Sequence, residues 1–167
     1  MNRGLSHFNN RGEASMVDVG RKAVTERRAV AACEVRMKLE TLKLLKEGDL
    51  KKGDAFTVAK TAGILAAKRT PELIPLCHSL LLDATEIRFF DLPGEVGILI
   101  ESEVCTSAKT GVEMEALTAA AVAALTIYDM AKSYDPAITM TGLHLIKKTG
   151  GKSDYDDPHE SGNHHGE

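Results

Sequence analysis

An alanine-rich segment, residues 111–133, constrains the fold of this chain more than any other feature. It reads GVEMEALTAAAVAALTIYDMAKS, has helical periodicity and ends shortly before Pro136. Thr110 and Glu113 fit the capping box S/T-x-x-E, which predicts a helix start there. Small side chains at residues 118–125 predict close approach by another helix or subunit. An apolar stripe is expected to pack on a sheet and contains Met114, Leu117, Ala121, Leu125 and Tyr128.

The segments around this helix predict a mixed fold. Apolar alternation predicts strands, and helical periodicity predicts two more helices, one ending at Gly48 and one capped by Asp54. Pro93 and Gly94 predict a hairpin. The predicted strands cover residues 29–39, 84–92, 96–107 and 137–148, and the helices cover residues 40–47 and 55–68. The predicted class is α+β: a ferredoxin-like sandwich, with a four-stranded antiparallel sheet and helices on one face.

The chain has 167 residues, which favours one domain. We assign residues 1–153 to a single catalytic α+β domain, in which about the first 16 residues form an arm that orders against a partner. Residues 154–167 read DYDDPHESGNHHGE and are predicted to be a disordered tail. His164 and His165 resemble a metal-binding pair, but a solvated tail is the favoured interpretation.

Composition excludes several classes of protein. The formal net charge of −3 lacks the basic excess typical of polynucleotide binding, so no nucleic-acid partner is expected. We find no run of about 18 apolar residues that spans a bilayer and no signal peptide, and therefore expect a cytoplasmic protein without membrane contact. The three cysteines include no C-x-x-C pair, which argues against a disulfide framework or structural zinc site.

The charged residues of the alanine-rich helix indicate how a site is built. Asp129 and Lys132 are three residues apart and are neighbours on the helix surface, where an ordinary surface ion pair is the alternative. Glu115 and Asp129 share a face, but fourteen residues place them roughly 21 Å apart. One small ligand does not easily reach both in one chain, so the spacing favours an oligomer with shared active sites.

Three polar segments outside this helix have two interpretations each. Lys52, before Gly53 and Asp54, suits a phosphate at a helix start or is a solvated turn lysine. The adjacent Cys77 and His78 bring a thiol and an imidazole into one loop, although His78 alone is more often an ordinary hydrogen-bonded histidine. Lysines around two glycines suit a phosphate or an exposed strand end; they are Lys147, Lys148 and Lys152.

Together, several segments resemble the cyclic pyranopterin monophosphate synthase family. They are MVDVG with Lys22, KGD from Lys52, AAKRTPELIPLCH ending at His78, KTGVEMEALTAAAVAALTIYDMAK from Lys109 to Lys132, and KKTGGKS near the C-terminus. The resemblance covers about residues 5–153, and its long helical segment is highly specific. Ser15 and Ser79 depart from the family, which often has His and Pro there.

The resemblance implies a ferredoxin-like hexamer, a trimer of dimers, with sites between subunits. It implies a lyase of molybdenum cofactor biosynthesis that converts 3′,8-cyclo-7,8-dihydro-GTP into cyclic pyranopterin monophosphate and pyrophosphate. The implied catalytic residues are Asp129, Lys52, Lys132 and His78. The implied substrate-binding residues are Leu76, Cys77, His78, Met114, Glu115, Glu113, Arg27, Lys68 and Lys148. We expect no metal or cofactor, and we expect neighbouring cations or desolvation to lower the pKa of a site lysine.

Two rival functions stay open from the residues alone. A ferredoxin-like regulatory domain would sense a nucleotide without converting it, but the number of potentially reactive groups argues against this. A metal-handling protein would use the Cys77–His78 loop and the histidine tail. Activity that persists after chelation and tail truncation would dismiss the second alternative.

Overall fold

The computed structural model describes residues 14–158 of the chain. The strands are β1 (Thr25–Arg36), β2 (Ala84–Asp91), β3 (Gly97–Ala108), β4 (Thr139–Thr149) and β5 (Tyr155–Asp156). The helices are α1 (Leu39–Glu47), α2 (Ala55–Lys68), α3 (Thr70–Leu73) and α4 (Glu113–Ala131). The predicted α+β class with an antiparallel sheet is confirmed.

The two predicted helix ends have their expected geometry. Gly48 has φ 75° at the C-terminus of α1, a left-handed conformation that glycine adopts at little cost. Asp54 caps α2, because its side chain accepts hydrogen bonds from the backbone N–H groups of Phe56 and Thr57. The short helix α3 is an addition, since a loop was expected after residue 70.

The described sheet has five strands rather than the predicted four, in the order β2-β3-β1-β4-β5. All four pairings are antiparallel, with β1 between β3 and β4. The predicted hairpin joins β2 to β3, and Gly94 adopts φ 73° in its turn. The extra strand is β5, an edge of two residues that the sequence pattern did not reveal.

Strand β5 falls where the tail was expected to be disordered. Tyr155 pairs with Lys148 and Asp156 with Lys147, whose ammonium group lies 3.1 Å from the Asp156 carboxylate. The Asp157 N–H also donates to the carbonyl of Ile146. A polar segment can therefore be held by backbone pairing, which composition does not report. Residues 159–167, including both tail histidines, lie outside the described residues.

The face of α4 that forms the core is not the predicted one. The expected stripe is at the surface or only partly buried, and Leu125 is 54% exposed. The prediction was wrong for the exposed Met114 and Leu125, because it assigned the larger side chains to the core. Leu117 and Tyr128, by contrast, are partly buried and pack against the core. The side chains that pack inward are mostly small: Ala116, Ala119, Ala120, Ala123, Ala124, Ile127 and Ala131.

Small side chains allow α2 and the sheet to approach α4 closely, as the sequence predicted. A Cβ at Gly63 of α2 would lie 3.0 Å from the carbonyl oxygen of Ala119 and 3.1 Å from a methyl group of Ile87. On the sheet, Ala29 and Ala31 of β1 belong to the same buried cluster. The close spacing leaves no room for a larger side chain at these contacts.

Helix α4 is also long and apolar enough, by length and composition alone, to cross a membrane, contrary to the expectation that no segment qualifies. Half of it is buried inside the molecule. The core helix of a soluble protein passes the same test. The buried alanine face identifies α4 as the central helix of this fold.

Candidate functional site

Three charged side chains meet at the C-terminal end of α4. The Lys52 Nζ lies 2.6 Å from Oδ2 of Asp129, and the Lys132 Nζ lies 2.7 Å from Oδ1. Lys52 also donates to the backbone carbonyl of Asp129 at 2.8 Å. We call these residues the lysine–aspartate cluster. All three side chains are about half exposed, so the cluster is accessible to a ligand.

The turn before α2 brings Lys52 to this end of α4. Gly53 adopts φ 90°, a conformation that favours glycine, and its N–H donates to the carbonyl of Leu50. The Lys51 N–H donates to the Tyr134 hydroxyl at 3.2 Å, which ties the turn to the segment after α4. The sequence predicted the Asp129–Lys132 contact, but only the folded chain shows that Lys52 joins it.

The cluster favours the charged forms of Asp129 and Lys132. Hydrogen bonds from Lys132 and then Lys52 lower the pKa of Asp129 to about 2. The same carboxylate raises the pKa of Lys132, mainly through its hydrogen bond. The expected lowering of a lysine pKa is therefore wrong for Lys132, because its nearest charged group is an anion. In this arrangement Lys132 is a proton donor rather than a base.

A second group of charged residues surrounds a cleft at the opposite end of α4. The cleft has a volume of about 160 Å³ and contains six cationic side chains. We call it the basic cleft. Its lining residues are Lys22, Arg27, Arg28, Lys109, Thr110, Gly111, Glu113, Lys148, Thr149, Gly151, Lys152 and Ser153. A concave surface with this excess of positive charge suits a polyanion such as a triphosphate.

Glu113 supplies an anion inside the basic cleft. Its carboxylate lies 3.1 Å from the Lys148 Nζ, and a Cβ at Gly111 would overlap it. The predicted capping box is therefore wrong. The N-cap is Val112, and neither it nor Thr110 caps α4 through a side-chain hydrogen bond. Glu113 pairs with Lys148 instead, and an incoming phosphate would compete for that lysine.

Arg27 is oriented by the strand end that precedes α4. Its guanidinium donates to the carbonyl of Ala108 at 3.4 Å and to the carbonyl of Lys109 at 3.5 Å. Gly150, at φ 82°, crosses β1 so closely that any Cβ would collide with the carbonyl oxygen of Glu26. This crossing brings the segment after β4, with Lys152, to the cleft.

The loop after α3 lies near the same end of α4. Leu76, Cys77 and His78 are all partly buried, and the His78 Nε2 lies 2.8 Å from the carbonyl oxygen of Val17. Glu115 is 3% exposed, and burial raises its pKa. Burial and then the charge of Glu115 raise the pKa of Cys77. A buried carboxyl with a raised pKa is a candidate for holding or transferring a proton.

The predicted site residues therefore lie in two places within one chain. Asp129 and Glu115 are separated by fourteen residues of helix, roughly 21 Å. Of the remaining predicted residues, Lys68 is exposed at the end of α2, and Met114 is exposed in the first turn of α4. Within residues 14–158, no group of three or more His, Cys, Asp or Glu residues can hold a metal ion.

Sequence reasoning missed part of the basic cleft. Lys22 and Lys109 are part of the segments that resemble the family, but they were not assigned to a site. Arg28 was not considered at all. The available signal was a lysine directly before the helix start, at Lys109-Thr110-Gly111. The approach of residue 22 and residue 152 to that helix start depends on tertiary structure.

Comparison with known proteins identifies the family of this chain. A family model described as the MoaC family matches residues 16–151, which include the lysine–aspartate cluster and all of the basic cleft except Lys152 and Ser153. A cyclic pyranopterin monophosphate synthase of Pelotomaculum thermopropionicum is 52% identical over 150 residues, covering 90% of this chain and 88% of the relative. The synthase of Listeria monocytogenes is 50% identical over 149 residues, covering 89% and 92%. The chain belongs to the MoaC family.

Proposed function

We propose that this protein is a lyase that converts 3′,8-cyclo-7,8-dihydro-GTP into cyclic pyranopterin monophosphate and releases pyrophosphate, in molybdenum cofactor biosynthesis. The observation that carries the proposal is a proton-transfer cluster and a polycationic cleft at the two ends of one helix, in a chain of the MoaC family. The names of the relatives support the same reaction.

The lysine–aspartate cluster supplies the acid/base chemistry in this proposal. The reaction breaks a purine C–N bond and builds new rings, so protons move between nitrogen and oxygen atoms. Asp129 keeps Lys132 protonated, which suits donation to a leaving nitrogen. When the substrate separates Lys52 from Asp129, the carboxylate can take up a proton and the ammonium group can donate one. His78 assists from the loop after α3.

The basic cleft binds the triphosphate in this proposal. Arg27 and Lys148 neutralise phosphate oxygens, together with the cations that sequence reasoning missed. Glu113 leaves Lys148 when a phosphate binds. The rest of the substrate contacts Leu76, Cys77, His78, Met114 and Glu115. Lys68 is a further candidate for contact with the substrate, and its exposure at the end of α2 leaves it accessible to a substrate held by a neighbouring copy.

A complete site requires two copies of the chain in this proposal, because the two groups are roughly 21 Å apart in one copy. The outer surface of α4 supports association. Leu125, Leu143 and Met140 are 54%, 48% and 37% exposed beside an apolar cleft of about 300 Å³. Covering these side chains removes apolar surface from water. We propose a hexamer, a trimer of dimers, in which neighbours complete each site.

The same proposal covers the finer assignments of fold and location. The strand order β2-β3-β1-β4, with α2 and α4 as the connecting helices, fits a ferredoxin-like sheet with β5 added at its edge. We assign residues 1–153 to one catalytic domain and the enzyme to the cytoplasm. Neither a nucleic acid nor a membrane is a proposed partner, and no cofactor is required.

A direct experiment tests the proposed reaction. Purified protein is supplied with the cyclised nucleotide, and both products are measured, the cyclic phosphate by mass spectrometry and pyrophosphate by a coupled assay. Equal yields of both products are expected, and they should be absent with the Asp129→Ala variant. Tight binding of the nucleotide without either product would show a sensor rather than a lyase.

A further inference from the structure

The segment before β1 makes a contact with the imidazole of His78 that the proposed reaction does not explain. Residues 15–20 alternate in burial, with Val17 and Val19 partly buried and Asp18 and Gly20 exposed. The carbonyl oxygen of Val17 lies 2.8 Å from the His78 Nε2, although 61 positions separate the two residues. The sequence predicted this region only as the end of a weakly patterned arm.

The chemistry of a carbonyl group identifies the protonated nitrogen of His78. A carbonyl oxygen only accepts hydrogen bonds, so Nε2 must carry a hydrogen to donate to Val17. Neutral imidazole has one N–H, and therefore Nδ1 is the bare nitrogen. Within residues 14–158, Nδ1 of His78 has no hydrogen-bond partner. Nδ1 is therefore the ring nitrogen with a free lone pair.

Two side chains hold the turn that directly follows Val17. The Asp18 carboxylate accepts the N–H of Gly20 at 2.8 Å and closes a turn directly after Val17. The Lys109 Nζ donates to the carbonyl of Gly20 at 2.7 Å, from the loop that precedes α4. The segment is thus fastened to the loop that lines the basic cleft. Its other polar contact, between the Lys22 N–H and the Val19 carbonyl, continues the same turn.

We propose that residues 16–20 are a positioning segment for His78. Val17 holds the ring through Nε2–H, so that Nδ1 is the nitrogen that exchanges a proton with the substrate. Asp18 is a positioning residue, because it holds the turn after Val17 and acts on the reaction only through His78. Lys109 holds the same turn through the carbonyl of Gly20, in addition to its place in the basic cleft. The participation of Nδ1 in turnover rests on the proposed function, whereas the protonation of Nε2 does not.

Nuclear magnetic resonance tests the protonation state without any substrate. The full-length protein is labelled with ¹⁵N-histidine, and His78 is assigned by comparison with the His78→Gln variant. With the imidazole in its neutral form, we expect a protonated Nε2, a bare Nδ1 and a ring N–H that exchanges slowly with solvent. A bare Nε2 in the wild-type protein overturns the proposal, whether or not the protein converts the nucleotide.

Matched variants of Asp18 test the positioning role. Asp18→Ala removes the acceptor for Gly20, while Asp18→Asn keeps an oxygen in the same place. With Asp18→Ala we expect fast exchange of the ring N–H and a roughly tenfold lower kcat with KM nearly unchanged. Asp18→Asn should restore both properties. Unchanged exchange and unchanged kcat in folded Asp18→Ala would overturn the role of the segment.

Discussion

The two ends of α4 differ in exposure and in the balance of charge. At the C-terminal end, one carboxylate lies between two lysines, and all three side chains are about half exposed. At the N-terminal end, six cations surround a cleft with one paired carboxylate, and Glu115 is almost completely buried nearby. The first arrangement stabilises the charged forms of Asp129 and Lys132. The second has more positive charge than its carboxylates neutralise.

In the proposed reaction, this difference separates proton transfer from phosphate binding. At the C-terminal end, a ligand meets Asp129 and Lys132, whose charged forms are stabilised by a short ion pair. A polyanion at the N-terminal end meets an excess of cations, of which Lys148 pairs with Glu113 and Arg28 pairs with Glu103. Neither end alone has the groups that the proposed reaction needs, and for this reason the proposal brings the two ends together between copies.

Removing a member of the lysine–aspartate cluster should have the largest effect. Asp129→Ala, Lys52→Ala and Lys132→Ala should each fold normally and lower kcat by roughly 10²–10⁴-fold, the usual contribution of a positioned acid or base. Product formation from the cyclised nucleotide is the measurement, with circular dichroism as the test of folding.

Lys51→Ala is the matched control for these variants, since it removes a neighbouring positive charge and keeps the backbone N–H that donates to Tyr134. Its kcat should stay within about twofold of the wild-type value. Wild-type turnover by any of the three cluster variants would remove that residue from the mechanism.

Mixed oligomers should restore part of the lost activity. Lys52→Ala damages the cluster, and Arg27→Ala damages the cleft. If each site takes the cluster from one copy and the cleft from another, roughly a quarter of the sites in a random mixture are intact. Co-expression of differently tagged chains and purification of the mixed species allow the rate to be compared with either parent.

A second pair of variants makes the mixing experiment specific. Lys52→Ala and Asp129→Ala both damage the lysine–aspartate cluster, whose members belong to one chain. Their mixed oligomers should have no activity above the parents. Equal rescue by both pairs, or rescue by neither, would contradict a site built from opposite ends of α4 in neighbouring copies.

Local chemistry allowed much of the fold to be predicted. Helix α2 begins after Asp54 and ends at Lys68, as expected. Its start could be predicted because side-chain capping is a short-range interaction that the sequence displays directly. The fourteen-residue spacing on α4 also predicted two separate groups. The added strand β5 was missed, since two residues of edge pairing leave no periodic pattern.

The buried face of α4 could not be predicted from amphipathicity. That reasoning assigns Leu125 to the core because leucine is larger and more apolar than alanine. The interior instead selects Ala119 and Ala120, because Gly63 and the alanines of β1 lie too close for larger side chains. The prediction of the basic cleft was incomplete for a related reason, since its cations converge from segments far apart in sequence.

Neutralising the basic cleft should weaken binding more than turnover. Arg27→Ala should raise KM roughly tenfold, which corresponds to about 1.4 kcal/mol, and should reduce kcat much less. Higher salt should reduce the difference in KM between Arg27→Ala and the wild-type protein, because it screens the remaining charges of the cleft. Steady-state kinetics at two ionic strengths measure both effects.

Lysines 147 and 148 offer a matched test of the cleft. Lys148 faces Glu113, whereas its neighbour Lys147 pairs with Asp156 at the sheet edge and does not line the cleft. Lys148→Ala should raise KM, and Lys147→Ala should leave KM within about twofold. Equal changes in KM would show that overall charge, rather than the cleft, binds the substrate.

The smallest expected effect is on stability at the N-terminal end of α4. Burial raises the pKa of Glu115 above its ordinary value of 4.5, so the folded chain binds the proton more tightly than the unfolded chain. Ionisation therefore disfavours the folded state as the pH rises above that value, and the penalty disappears below it. Glu115→Gln removes the ionisation and should raise the melting temperature at pH 8 by a few degrees at most. The gain in melting temperature should vanish near pH 4. The control is Glu72→Gln, at an exposed position on α3, which should show no such pH-dependent gain. A lower melting temperature for Glu115→Gln at pH 8 would mean that the Glu115 carboxylate stabilises the fold.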